Sequence, residues 1–79
     1  MLALDEKIAR FCEEYRLSPQ QRRIFAAIMR GTISNEALAR RLGMRAGTLC
    51  KHLERMAEKT GTLSRAELFY LFYQGGRGE

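Results

Sequence analysis

Tryptophan is absent, proline and histidine occur once each, and only two cysteines are present among 79 residues. Cys12 and Cys50 lie far apart, without the paired spacing of a zinc site or the density of a secreted disulfide scaffold, so a reduced cytoplasm is the expected setting. The single histidine, His52, has no carboxylate spaced to work with it, and there is no glycine-rich phosphate loop. No catalytic constellation, metal site or cofactor site is therefore expected, and the chain does not read as an enzyme. No apolar run approaches the ~18 residues of a membrane span. The charged Asp5-Glu6-Lys7 interrupts anything like a signal peptide. A chain this short has room for one domain and one small core, too little for a deep catalytic cleft.

What is present is positive charge, unevenly placed. The net charge is +5 and the sequence pI about 9.8. Between positions 40 and 59 lie six basic residues (Arg40, Arg41, Arg45, Lys51, Arg55, Lys59) and two acidic ones, Glu54 and Glu58. The first sixteen residues hold three basic residues and four acidic ones. The positive field is concentrated on one stretch, which favours an anionic partner there.

Helical periodicity organises the whole chain. Leu4, Ile8, Phe11, Cys12 and Tyr15 recur at helical spacing, so residues 3 to 16 are expected to form an amphipathic helix. Ser18-Pro19-Gln20-Gln21 is a helix start, with Ser18 as cap, Pro19 in the first turn and Gln21 reaching back; this helix runs to Arg30 and stops at Gly31. Ser34 or Asn35 caps the next helix, whose inner stripe is Leu38, Ala39 and Leu42 and which ends at Gly43. A fourth helix follows, with Leu49, Leu53 and Met56 inward and Gly47, Lys51, Glu54, Arg55 and Glu58 on the opposite side. Ser64-Arg65-Ala66-Glu67 reads as a second capping box, opening a last helix to about Gln74. Leu68, Leu71 and Phe72 form its core stripe, while Phe69, Tyr70 and Tyr73 extend the apolar surface around it. A helix apolar on several faces must be buried on several sides, either against the N-terminal helix or against a second chain. No strand or repeat is visible. The chain reads as all-α: residues 1–16 an N-terminal amphipathic helix, 17–74 a four-helix domain, 75–79 a flexible tail.

Ala39, Gly43 and Leu49 occupy the small, turn and core positions of a helix-turn-helix. Their context resembles the LuxR/GerE-type domain of bacterial transcription regulators. Leu17-Ser18-Pro19 is similar to that family's L-T-P start, Ser34-Asn35 to its S-N, and Ala39-Arg40-Arg41-Leu42-Gly43 to its A-x-x-L-G. Thr48-Leu49 and His52-Leu53 resemble its T-V-K-x-H-L; Lys59, Gly61, Ser64-Arg65 and Glu67-Leu68 resemble its closing K-L-G-x-x-S-R-x-E-L. The match spans about residues 17 to 74. The resemblance implies a four-helix domain that places its third helix in the major groove of double-stranded DNA and often dimerises through its last helix. By position it implies base-edge contacts from Cys50, Lys51 and Glu54, with Thr48, His52, Arg55 and Lys59 nearer the backbone. Cys50 stands where the family usually has lysine, Glu54 where neutral or basic residues are common, Arg45 where serine usually caps, and Thr60 where leucine is usual. One residue is inserted between Gly31 and Ser34.

Together these readings make the chain a cytoplasmic transcription regulator that binds DNA as a homodimer, with RNA polymerase or another regulator as a further partner. Arg40, Arg41, Arg45, Arg55 and Lys59 suit phosphate neutralisation. Leu68, Phe69, Phe72 and Tyr73 are the dimer-interface candidates. His52 is expected to hydrogen-bond or touch the DNA backbone, and Cys50 to be a half-exposed filler, a weak groove contact or a thiol sensitised by nearby cations. Two other readings stay open. Gly47-Thr48-Leu49 also resembles the G-T-V of sigma-factor recognition helices, although the Ser64 to Leu68 match argues against a promoter-reading sigma domain. An adaptor or anti-activator on a helix-turn-helix scaffold would account for Cys50, Glu54 and Glu58 on the reading face.

Overall fold

Five helices make up the computed structural model, which describes residues 3–32 and 34–74: α1 (Leu4–Glu14), α2 (Pro19–Met29), α3 (Asn35–Leu42), α4 (Ala46–Thr60) and α5 (Arg65–Tyr73). No strand occurs among the described residues, so the chain is all-α. The segment expected to form a tail, 75–79, and the position of Ile33 lie outside the described residues.

The helix limits follow from local chemistry. Ser18 and Gln21 form a reciprocal box at the start of α2: the Gln21 N–H donates to Ser18 Oγ at 3.2 Å and the Ser18 N–H to Gln21 Oε1 at 2.9 Å. At α3 the cap is Ser34, whose Oγ accepts from the Ala37 N–H at 3.1 Å. Gly43 ends α3 in the left-handed region at φ 66°, and the Met44 N–H returns to Ala39 O at 2.9 Å. The three residues Gly43, Met44 and Arg45 then turn the chain into α4. Arg45 sits in the N-cap position of α4 and makes no side-chain capping bond. The box expected at α5 is only half made. Ser64 Oγ accepts from the Glu67 N–H, but Glu67 Oε1 accepts from Leu63 rather than from Ser64, at 2.7 Å.

The core sits around α2, whose Ile24, Phe25 and Ile28 are fully enclosed. From α1, Ile8, Phe11, Cys12 and Tyr15 join it; Leu4 does not, because it opens its helix and stays exposed. Burial pushes the Cys12 thiol up to about 11, so it remains protonated at neutral pH and behaves as a small apolar side chain. Leu38 of α3 and Leu49 and Met56 of α4 close the opposite side.

The aromatic part of the core joins three helices. The Phe11 and Phe25 rings stack with centroids 4.6 Å apart, and Phe72 of α5 meets both edge-on at 5.8 and 5.6 Å. Leu68 and Phe72, expected in the core stripe of α5 and also among its dimer-interface candidates, are buried within their own chain. The reason is geometric, since residues four apart share one helix face and that face is the one turned to Phe11 and Phe25. Phe69 is half-buried; Tyr70 and Tyr73 remain on the outside, 65% and 73% exposed.

Candidate nucleic-acid interface

The α3–turn–α4 segment sets the candidate site. Gly43 fixes the angle between the helices, Leu38 and Leu49 hold them to α2, and the side of α4 away from Leu49 and Met56 faces outward. Thr48, Cys50, Lys51, Glu54, Arg55 and Glu58 are all exposed on it. All three base-edge candidates, Cys50, Lys51 and Glu54, are thus brought to one open surface. Cys50 is exposed rather than half-buried.

Lys51, Arg55 and Lys59 follow at intervals of four, so they run as a stripe along α4. Glu54 and Glu58 form a parallel acidic row one step round the helix. Among the described residues no ion pair joins Lys51 or Arg55 to an acid. Both side chains are exposed and so accessible to an approaching phosphate or base edge.

The other basic candidates divide by what holds them. Arg45 lies exposed at the turn. Arg40 forms an exposed pair with Glu36 at 3.6 Å, a geometry worth little in water and easily exchanged. The Arg41 guanidinium donates to Thr32 Oγ1 at 3.3 Å, bracing the segment that leads into α3.

Lys59 has partners within its own chain. Its ammonium donates to Arg16 O at 2.8 Å and to Gln21 Oε1 at 2.9 Å. Arg16 is the one described non-glycine residue with positive φ, at 57°, and Gln21 is buried. Lys59 thus ties the end of α4 to the α1–α2 corner instead of reaching outward. Lys59→Ala should lower stability by about 1–2 kcal/mol by leaving a buried acceptor less well satisfied, and should change duplex affinity little. Paired thermal melts and duplex titrations of the variant check both halves.

His52 sits at the edge of the core. It lies three residues after Leu49 and four before Met56, on the flank of the buried stripe, and is half-buried with Nδ1 enclosed and without a hydrogen-bond partner. Among the described residues no group of three or more His, Cys, Asp or Glu side chains could hold a metal.

Sequence reasoning missed two features. The Lys59 tie brings Arg16 and the first turn of α2, with exposed Arg22, to the end of the α4 stripe, which extends the basic surface beyond α4. Arg22 and Arg23 stand near the start of α2, where the helix dipole does not favour cations, and are the local sign of it. Arg65 is the second. It is half-buried, its guanidinium donates to Asn35 Oδ1, and burial lowers its pKa. Nothing local marked it, because Asn35 is thirty positions away.

Comparison with known proteins finds no matching family model, no matching curated protein and no matching solved structure. No described helix is long and apolar enough to cross a membrane.

Proposed function

We propose that the chain is a sequence-specific, double-stranded DNA-binding transcription regulator of the LuxR/GerE type, with α2 to α5 as its four-helix domain and α4 entering the major groove. The observation that carries this reading is the pair Lys51 and Arg55, exposed and without an ion pair among the described residues, on the face of α4 opposite its buried stripe. Phosphate contacts from Arg45, Arg55 and the Arg40–Arg41 end of α3 set the register; Lys51 with Cys50 and Glu54 meets base edges. A two-fold site is served by two copies. With Leu68 and Phe72 committed to the core, the surface left on α5 for the second copy is Phe69, Tyr70 and Tyr73.

The test is a duplex titration at two salt concentrations, with Lys51→Ala beside the unaltered chain. Binding should fall steeply with salt, and the variant should lose about 1–3 kcal/mol of binding free energy. No duplex binding even at low salt would instead favour the protein-interaction reading, in which exposed Glu54 and Glu58 repel nucleic acid and the tyrosines of α5 form the working surface.

A further inference from the structure

Behind the outward face of α4, between that helix and α5, lies a groove of about 590 Å³. This falls within the ~300–1,000 Å³ range typical of small-molecule sites. Ile28, Leu53, Met56 and Leu68 make it largely apolar, and Leu63 beside it is 91% exposed. Arg65 also lines it. Its guanidinium is partly withdrawn from water, yet its recorded partner is the neutral amide oxygen of Asn35, and among the described residues no carboxylate pairs with it. A partly desolvated cation facing only a neutral acceptor is incompletely compensated, and a carboxylate supplies the missing partner through charge-assisted bonds. Arg65 and Asn35 are also the first residues of α5 and α3, but Ser64 and Ser34 cap those helix starts and Glu67 and Glu36 lie in their first turns, so the positive charge offered to the groove is that of Arg65. Glu54 lines it too and opposes an anion, but Glu54 is exposed and its repulsion is screened by water, whereas Arg65 is not fully so.

We propose that this groove binds a small amphipathic carboxylate, its hydrocarbon part against Ile28, Leu53, Met56 and Leu68 and its carboxylate on Arg65. The ligand touches α4 at Leu53, Met56 and Ala57, and Glu54 at the groove's rim is the one residue it shares with the outward face of the candidate interface. Binding here does not require that the chain bind DNA, and the two proposals fail separately.

The probes are octanoate and octanol, titrated into isotopically labelled chain and followed by amide chemical shifts. Saturable shifts are expected at Leu53, Ala57, Thr62, Arg65 and Leu68, with octanol bound about tenfold more weakly for want of the charged hydrogen bond. Arg65→Gln should bring octanoate down to the octanol level while the spectrum stays dispersed. Ala57→Leu, which narrows the groove from the α4 side, should weaken both probes and keeps the test open if Arg65→Gln does not fold. Equal binding of acid and alcohol, or octanoate binding indifferent to Arg65→Gln, would overturn the proposal. So would shifts centred on Tyr70 and Tyr73. Groove shifts that appear on concentrating the chain without ligand would make the groove an interface between copies and equally sink the idea.

Discussion

Phe25→Ala should leave no cooperative thermal transition. Phe25 is completely enclosed, stacked on Phe11 and met edge-on by Phe72, so one ring links α1, α2 and α5. Truncating a buried phenylalanine costs about 3–5 kcal/mol, part lost transfer free energy and part cavity. A core this small rarely supplies more than ~3–5 kcal/mol of net stability. The two quantities are the same size, so the variant should sit at or below its own unfolding midpoint at room temperature. Far-ultraviolet dichroism would show residual helix without a sharp melt, and near-ultraviolet tyrosine signals would flatten. Tyr73→Ala is the contrast: its ring is mostly exposed and meets Phe69 and the outer edge of Phe72, so its removal should cost about 0.5–1.5 kcal/mol and leave a cooperative melt. A Phe25→Ala chain that melts cooperatively with a loss near 1 kcal/mol would mean that the three rings do not form the keystone of the core.

The parts of this fold that were legible in the sequence are those whose information is local. Ser18 with Gln21, Ser34, and glycine at 43 act on groups no more than four positions away, and each makes the cap or turn that its neighbours announce. The α4 stripe is legible for the same reason: Leu49 and Met56 choose the inner side, and the exposure of Lys51, Glu54 and Arg55 follows. The core stripe of α5 was legible too, since Leu68 and Phe72 are buried and Leu71 packs against the core, but apolar residues surround this helix and periodicity does not say what meets its other faces. Lys59 and Arg65 show the same limit for charged groups. A long side chain on an exposed face looks equally suited to solvent, phosphate or a distant acceptor. The acceptors that hold these two, Arg16 O, Gln21 Oε1 and Asn35 Oδ1, come from parts of the chain at least thirty residues off.

Reversing two charges on the open side of α4, Lys51→Glu with Arg55→Glu, should reduce duplex affinity by on the order of 100-fold or more. Each cation contributes about 1–2 kcal/mol if it meets a base edge or phosphate, and each new carboxylate adds repulsion from the same phosphates. The loss should come with a change of slope. Log affinity against log salt falls by about 0.9 for every phosphate neutralised, so losing the phosphate contact of Arg55 flattens the dependence by nearly 1. The gap between parent and variant is therefore widest at low salt and narrows as salt rises. Stability sets the control. Neither side chain holds an ion pair among the described residues, and surface changes of this kind stay within about 0.5 kcal/mol each, so the melt should hardly move. Lys59→Ala, four residues past Arg55, should show the reverse pattern of a lowered melt and near-parental affinity. If the double reversal binds duplex as tightly as the parent with an unchanged slope, α4 does not face DNA through Lys51 and Arg55. The basic surface at Arg16 and Arg22 then becomes the place to look for its anionic partner, since the Lys59 tie brings it to the end of the same helix.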